Sequence, residues 1–356
     1  MKKFILFASL IILTATTYAQ NCTQTLRLAR STYDQGRLHE LPSLLKACLA
    51  NGFTKQERIE AYKLLTLTFI YLEEPEKADS SMLKLLHTDS YFEPNNDIDP
   101  QEFIGLYNTF RSNPIFTIGV KLGANSSFTN IISNYYVGAN AKGGSEYSNK
   151  IGLQLGLSFE KGIFQNSKNK ILNRLILAPE ILSVPRTFGI RVPTVFQTDL
   201  GTVSEAKFEA VESQAWIDLN ALVQYQIKPK SKFNPFLTVG PGISYLVSAT
   251  RQQVFNHQSG AGVSGPDVPF INSMKSAVFS VVVGTGIKIK VGSVYLTTDL
   301  RYQYGLSNIT NSSARTNLEN TFDYVSQFND YSINNFAIMI GGAYSVFKPK
   351  KKTHQK

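Results

Sequence analysis

Charge is scarce in this 356-residue chain: only 17% of its residues are Asp, Glu, Lys or Arg, against about 25% in an average globular domain. Disordered chains combine high charge with low hydrophobicity. With 43% hydrophobic residues, this sequence is not one of them. Histidine is limited to His39, His87, His257 and His354. No His-x-x-x-His or His-Glu-x-x-His spacing occurs among them, so no shared metal site is expected. Cysteine occurs only at Cys22 and Cys48, which excludes a four-cysteine metal site. The lack of a Cys-x-x-Cys pair argues against redox chemistry. No Gly-x-Ser-x-Gly elbow or glycine-rich phosphate loop is present, and no cofactor is implied.

The net charge of +10 has a local origin. Setting aside Lys2, Lys3 and the tail residues Lys348, Lys350, Lys351, Lys352 and Lys356 leaves +3. The basic balance therefore marks a tail and not a nucleic-acid-binding face, and no nucleic-acid partner is expected.

Beyond the N-terminus no run of about 18 apolar residues occurs, so no transmembrane helix is expected. The first 19 residues read as a secretory signal peptide. Lys2 and Lys3 precede the apolar run Phe4 to Leu13, and Thr17 and Ala19 supply the small residues of a cleavage site. A retained anchor is the alternative. Asn21 before Cys22 makes a poor lipidation site. An exported chain without apolar helices enters a membrane only as a closed barrel.

Residues 20–112 read as helical. Apolar residues recur at helical spacing through Leu26 to Tyr33, Leu41 to Ala47, Ile59 to Phe69 and Met82 to Leu86. Such helix pairs, at roughly 35-residue spacing, are TPR-like, with Gly36 and Ala78 at the positions that pack closely. An unrelated helical bundle is the alternative. Antiparallel helices bring Cys22 beside Cys48, which predicts a disulfide in an exported protein. Two free thiols are the alternative. Asp99-Pro100 reads as the capped start of a further helix.

From Ile115 the hydrophobic period changes to two. Eight segments alternate, for example Ile151, Leu153, Leu155 and Leu157 against Gly152, Gln154, Gly156 and Ser158. The polar face is built of small and amide residues with a few charges of both signs. That composition suits a narrow interior better than a solvent face. The connections also alternate in length. Long ones cover about 125–150, 191–204, 251–274 and 307–332; short ones are Gly162–Lys170, Lys228–Lys232 and Val291–Ser293. Long outer loops, short inner turns and an even strand count are the pattern of an outer-membrane barrel. A soluble sandwich or lipocalin-like barrel is the alternative.

The fold class is thus α + β: a periplasmic helical segment, then an eight-stranded antiparallel transmembrane β-barrel at 113–347, then a basic periplasmic tail at 348–356. The tail reads as a solvated end. Lys121, Glu160, Arg174, Glu180, Asp218, Asp299 and Arg301 are predicted to pair inside the barrel and plug it, since an unpaired buried charge is costly.

Three stretches carry a resemblance: Asn113 to Asn125, Ala178 to Ser183 and Arg301 to Ile309. They resemble the outer-membrane β-barrel family typical of Bacteroidota, which includes PorT-like proteins. The resemblance implies an outer-membrane location and, for some members, a part in type IX secretion. The expected partners are outer-membrane lipid and a periplasmic or envelope protein. The function expected is a non-enzymatic anchor for a helical interaction domain, with a narrow channel as the alternative. The one catalytic candidate, His257 with Asp267 or Ser259, is the basis of a third reading, an outer-membrane enzyme.

Overall fold

The computed structural model describes residues 21–135, 145–165, 169–197, 203–229, 231–256, 262–314 and 329–352. The predicted signal segment lies outside them. The chain divides into two compact units. One runs to Pro114 and resumes at Phe347; the other runs from Ile115 to Val346.

In the first unit, α1 covers 21–34, followed by α2 (Leu41–Ala50), α3 (Lys55–Tyr71), α4 (Pro75–Thr88) and α5 (Gln101–Asn108). The starts of α2, α3 and α4 have a local cause. Thr54 and Glu57 form a reciprocal capping box at α3, satisfying two backbone donors that a helix start leaves open. Pro42 and Pro75 occupy first-turn positions of α2 and α4, where no N–H is needed. Gly36 sits at φ +75° between α1 and α2, and a Cβ there would touch nothing. Its role is thus a left-handed turn and not the close packing expected from the sequence. Asp99 does not cap α5. Its carboxylate accepts the Asn95 N–H at 2.8 Å and pairs with Lys63, while Pro100 takes the cap position.

Cys22 and Cys48 are joined by a disulfide, with Cα atoms 5.5 Å apart. The bond ties the start of α1 to the end of α2, beside the buried Leu26, Leu41 and Leu45. A second core gathers Met82, Leu85, Leu86, Phe103 and Phe110.

The basic tail is not a free end at 347–352. It pairs with the chain leaving α5: Arg111 donates its backbone N–H to the Lys350 carbonyl at 2.9 Å, and Lys352 donates to the Thr109 carbonyl at 2.8 Å. Lys351 pairs with Asp79, and the Phe347 ring meets Tyr91 edge-on at 4.6 Å. The helical unit is therefore built from two distant pieces of chain.

Among its described residues the second unit holds ten strands: β1 (Phe116–Ser133), β2 (Glu146–Asn149), β3 (Ile151–Gly162), β4 (Leu175–Gln197), β5 (Val203–Gln226), β6 (Phe233–Asn256), β7 (Gly262–Pro269), β8 (Ala277–Val291), β9 (Val294–Gly305) and β10 (Asp330–Val346). Eight of them close a ring of antiparallel neighbours in the order β1-β3-β4-β5-β6-β8-β9-β10, with β10 returning to β1. Closure leaves the ring without an open edge. The short β2 adds to β4 and β7 to β6.

The outward side is apolar. Val120 is 60% exposed, Leu155 60% and Ile340 61%, while the neighbouring Lys121 and Gln154 are 7% and 1% exposed. Water would penalise such a surface at roughly 25 cal/mol per Å², so the band is a lipid-facing one. A strand needs only about 9–11 residues to cross a bilayer, yet β4, β5 and β6 have 23, 24 and 24. The excess corrects the sequence reading. Much of the expected loops at 125–150, 191–204 and 251–274 is strand. Above the lipid band the outward face no longer has to be apolar, so the hydrophobic alternation fades while the backbone pairing continues.

Candidate functional site

Strand β5 measures the interior level by level. Its inward side chains, from the short-turn end upward, are Gln224, Leu222, Asn220, Asp218, Trp216, Gln214 and Glu212, all buried. Period-two geometry puts each on the lumen side.

At the lowest level Lys288 donates to Gln224 at 2.6 Å and to Glu160, with its ammonium 5.4 Å from the Phe236 ring centroid. Phe236 thus points into the lumen and not onto the lipid-facing side. Gly286 makes the room, because a Cβ there would strike the Phe236 ring.

The middle level is a four-membered cluster. Lys121 Nζ lies 2.7 Å from Asp299 and 3.2 Å from Glu180. Arg301 pairs with both acids, at 2.9 Å from Asp299. Asn220 donates to Glu180 at 3.0 Å. The two cations and two anions come from β1, β4 and β9, so the cluster spans the lumen.

Above it, Arg186 grips both Asp218 oxygens at 2.9 and 2.8 Å and donates to Ser244 at 3.0 Å. Its guanidinium stands 5.0 Å from the Trp216 ring. At the top Arg251 donates to Glu212 at 2.8 Å, and the Tyr331 hydroxyl donates to the second Glu212 oxygen at 3.2 Å. Gln214 joins the Tyr331 hydroxyl and the Trp216 indole. An apolar cluster of Phe188, Trp216, Phe270, Tyr331 and Ile333 fills the space around these groups.

Of the predicted lumen charges, the structure brings Lys121, Glu180, Asp299 and Arg301 together. Glu160 pairs with Lys288, and Asp218 with Arg186. Arg174 does not join them. It sits in a single helical turn before β4 and donates to the Tyr225 hydroxyl at 3.3 Å. Arg186, Glu212 and Arg251 were missed because they lie where the outward apolar signal has faded. Counting by twos from Glu180 along β4, or from Asp218 along β5, would have found Arg186 and Glu212.

The buried charges of the described barrel balance: Lys121, Arg186, Arg251, Lys288 and Arg301 against Glu160, Glu180, Glu212, Asp218 and Asp299. Two cavities lie between these side chains, of about 10 and 20 Å³. Each has room for about one water. Among the described residues this interior is charge-balanced and closely filled, with no space for a ligand at either cavity.

No acid–histidine arrangement forms among the described residues. Asp267 is exposed on β7, while His257 and Ser259 lie outside the described residues. No group of three metal-ligating side chains is found among the described residues either.

A closed antiparallel ring with lipid-facing apolar residues and a polar filled interior defines an outer-membrane β-barrel. The chain belongs to the outer membrane protein beta-barrel domain family, whose model matches residues 112–311, more than half of the chain. Solved structures with a similar fold include OprG from Pseudomonas aeruginosa, 13% identical, covering 66% of this chain and 98% of that one at a TM-score of 0.33. Neisserial surface protein A is 12% identical, covering 64% and 96% at 0.27. The outer membrane protease OmpT from Escherichia coli is 10% identical, covering 65% and 96% at 0.28. No curated protein matches the chain.

Proposed function

We propose that this protein is a non-enzymatic outer-membrane anchor that holds a helical protein-docking unit in the periplasm, where it serves envelope assembly or protein secretion. The reading rests on the charge-balanced interior of the described residues, in which the two cavities described above are each too small for a solute. A barrel so filled offers rigidity and attachment. The helical unit supplies what the barrel lacks, with exposed apolar side chains at Leu28, Tyr71 and Ile98 available to a partner. We read its helix pairs as TPR-like and the whole as a PorT-like member from Bacteroidota, exported by its first 19 residues. Even strand number puts both barrel ends on one side, and the short turns mark that side as periplasmic.

Planar-bilayer recording of the full-length protein tests the plug, and no steady conductance is expected. Steady conductance would instead support a narrow channel. Cross-linking in intact envelopes tests the docking role. A discrete adduct is expected on the helical unit, and its absence at every exposed lysine of α1–α5 would remove that role.

A further inference from the structure

The two rims of the barrel differ in charge. At the short-turn rim Lys161 and Lys170 flank the β3–β4 connection, and Lys228 and Lys232 flank the β5–β6 turn. All four are exposed. None of the four makes an ion pair among the described residues. No acidic residue occurs in 161–175, 227–233 or 290–294. Glu160, next to Lys161 in the chain, is buried against Lys288. The long-loop rim is mixed instead, with Glu146, the Arg191–Glu209 ion pair, Asp267 and Lys275.

Beside the four lysines stand outward apolar residues that belong to the turns or to strand tips: Ile163, Phe164, Ile171 and Phe233, between 44% and 63% exposed. An apolar side chain next to a lysine, at the edge of a lipid-facing band, is the arrangement of an interfacial anchor. The apolar group enters the acyl boundary and the ammonium reaches up to the phosphates.

We propose that this rim binds anionic phospholipid headgroups. The lysines sit in pairs on two neighbouring hairpin connections, with exposed apolar side chains beside each pair, which suits several small headgroups better than one protein face. Basic residues at an anionic bilayer surface gain roughly 1 kcal/mol each, about a five-fold preference. The inference needs only the lipid-facing barrel and is independent of the docking role.

The test uses the full-length protein in phosphatidylcholine bilayers carrying spin-labelled phosphatidylglycerol or spin-labelled phosphatidylcholine. Electron spin resonance reads the motionally restricted fraction of each. Wild-type protein is expected to hold phosphatidylglycerol at least about five-fold better. The preference should fall toward parity in about 1 M salt, where charge is screened within about 3 Å. The combined Lys161→Gln, Lys170→Gln, Lys228→Gln and Lys232→Gln variant should lose it while keeping its heat-dependent mobility shift. Equal restriction of both lipids by wild-type protein would overturn the proposal, as would a preference that survives salt or the four substitutions. Conductance and cross-linking results leave this outcome unchanged.

Discussion

The two units solve the same problem in opposite solvents. The helical unit hides Leu41, Leu45, Met82 and Leu85 and leaves nearly all its charges in water, the buried Asp99 apart. The barrel shows Leu153, Leu155 and Val239 to lipid and hides Lys121, Glu180, Asp299 and Arg301. What counts as a core therefore depends on what lies outside. Stability in the helical unit comes from apolar packing. In the barrel interior, where there is little room for water, it depends on every charge finding an opposite.

The sharpest way to break this contrast is to remove one interior charge. Glu180→Ala leaves Lys121 and Arg301 sharing Asp299, and should destabilise the barrel by about 3–5 kcal/mol. Loss of the compact, heat-shifting band at lower urea would report it. Leu155→Arg charges the lipid face near mid-band and should cost about 2–4 kcal/mol, read as reduced folding yield into vesicles. The same vesicles should accept Leu155→Ile without loss.

Effects on the helical unit come next. Cys22→Ser opens a disulfide whose ends are 26 residues apart, and should cost about 2–4 kcal/mol, measured as faster proteolysis of the helical unit with the barrel unchanged. Ending the chain after Val346 removes the strand-like pairing at Thr109 to Arg111 and the Tyr91–Phe347 contact. It should weaken the same unit by about 1–3 kcal/mol, by the same assay.

The smallest effect involves pH. The Thr23 hydroxyl, 2.6 Å away, and then the Thr54 backbone N–H hold the Glu57 carboxyl below its ordinary value of 4.5. A lowered folded pKa stabilises above the ordinary value and is lost as pH falls through the lowered one. The helical unit should thus weaken on acidification below about pH 4.5. Glu57→Gln should flatten that part of the profile and leave the neutral-pH stability only slightly reduced. An unchanged acid limb would show that Glu57 does not contribute.

Much of this architecture was legible in the sequence, for a definite reason. Where lipid touches the barrel, one face must be apolar and the other must not, so residues such as Ile118 to Leu122 and Ile151 to Leu157 alternate without exception. The legibility ends where the lipid ends. The upper halves of β4, β5 and β6 keep their hydrogen-bonded ladders but lose the solvent contrast that wrote the alternation. Arg186, Glu212 and Arg251 were lost with it. Arg174 misled for the opposite reason: it shares the alternation of the strand that follows, yet lies one turn before it. The tail was opaque because a run of lysines looks the same whether solvated or docked. Much of what holds it in place is the carbonyl of Lys350 and the amide of Lys352, which every sequence possesses.

That docked tail makes the helical unit depend on chain from both sides of the barrel. Residues 347–352 are synthesised only after all eight ring strands, so the stretch from Thr109 to Arg111 has no partner until the whole barrel sequence exists. A chain that lost 347–352 would keep every strand of its ring and still carry an incomplete helical unit.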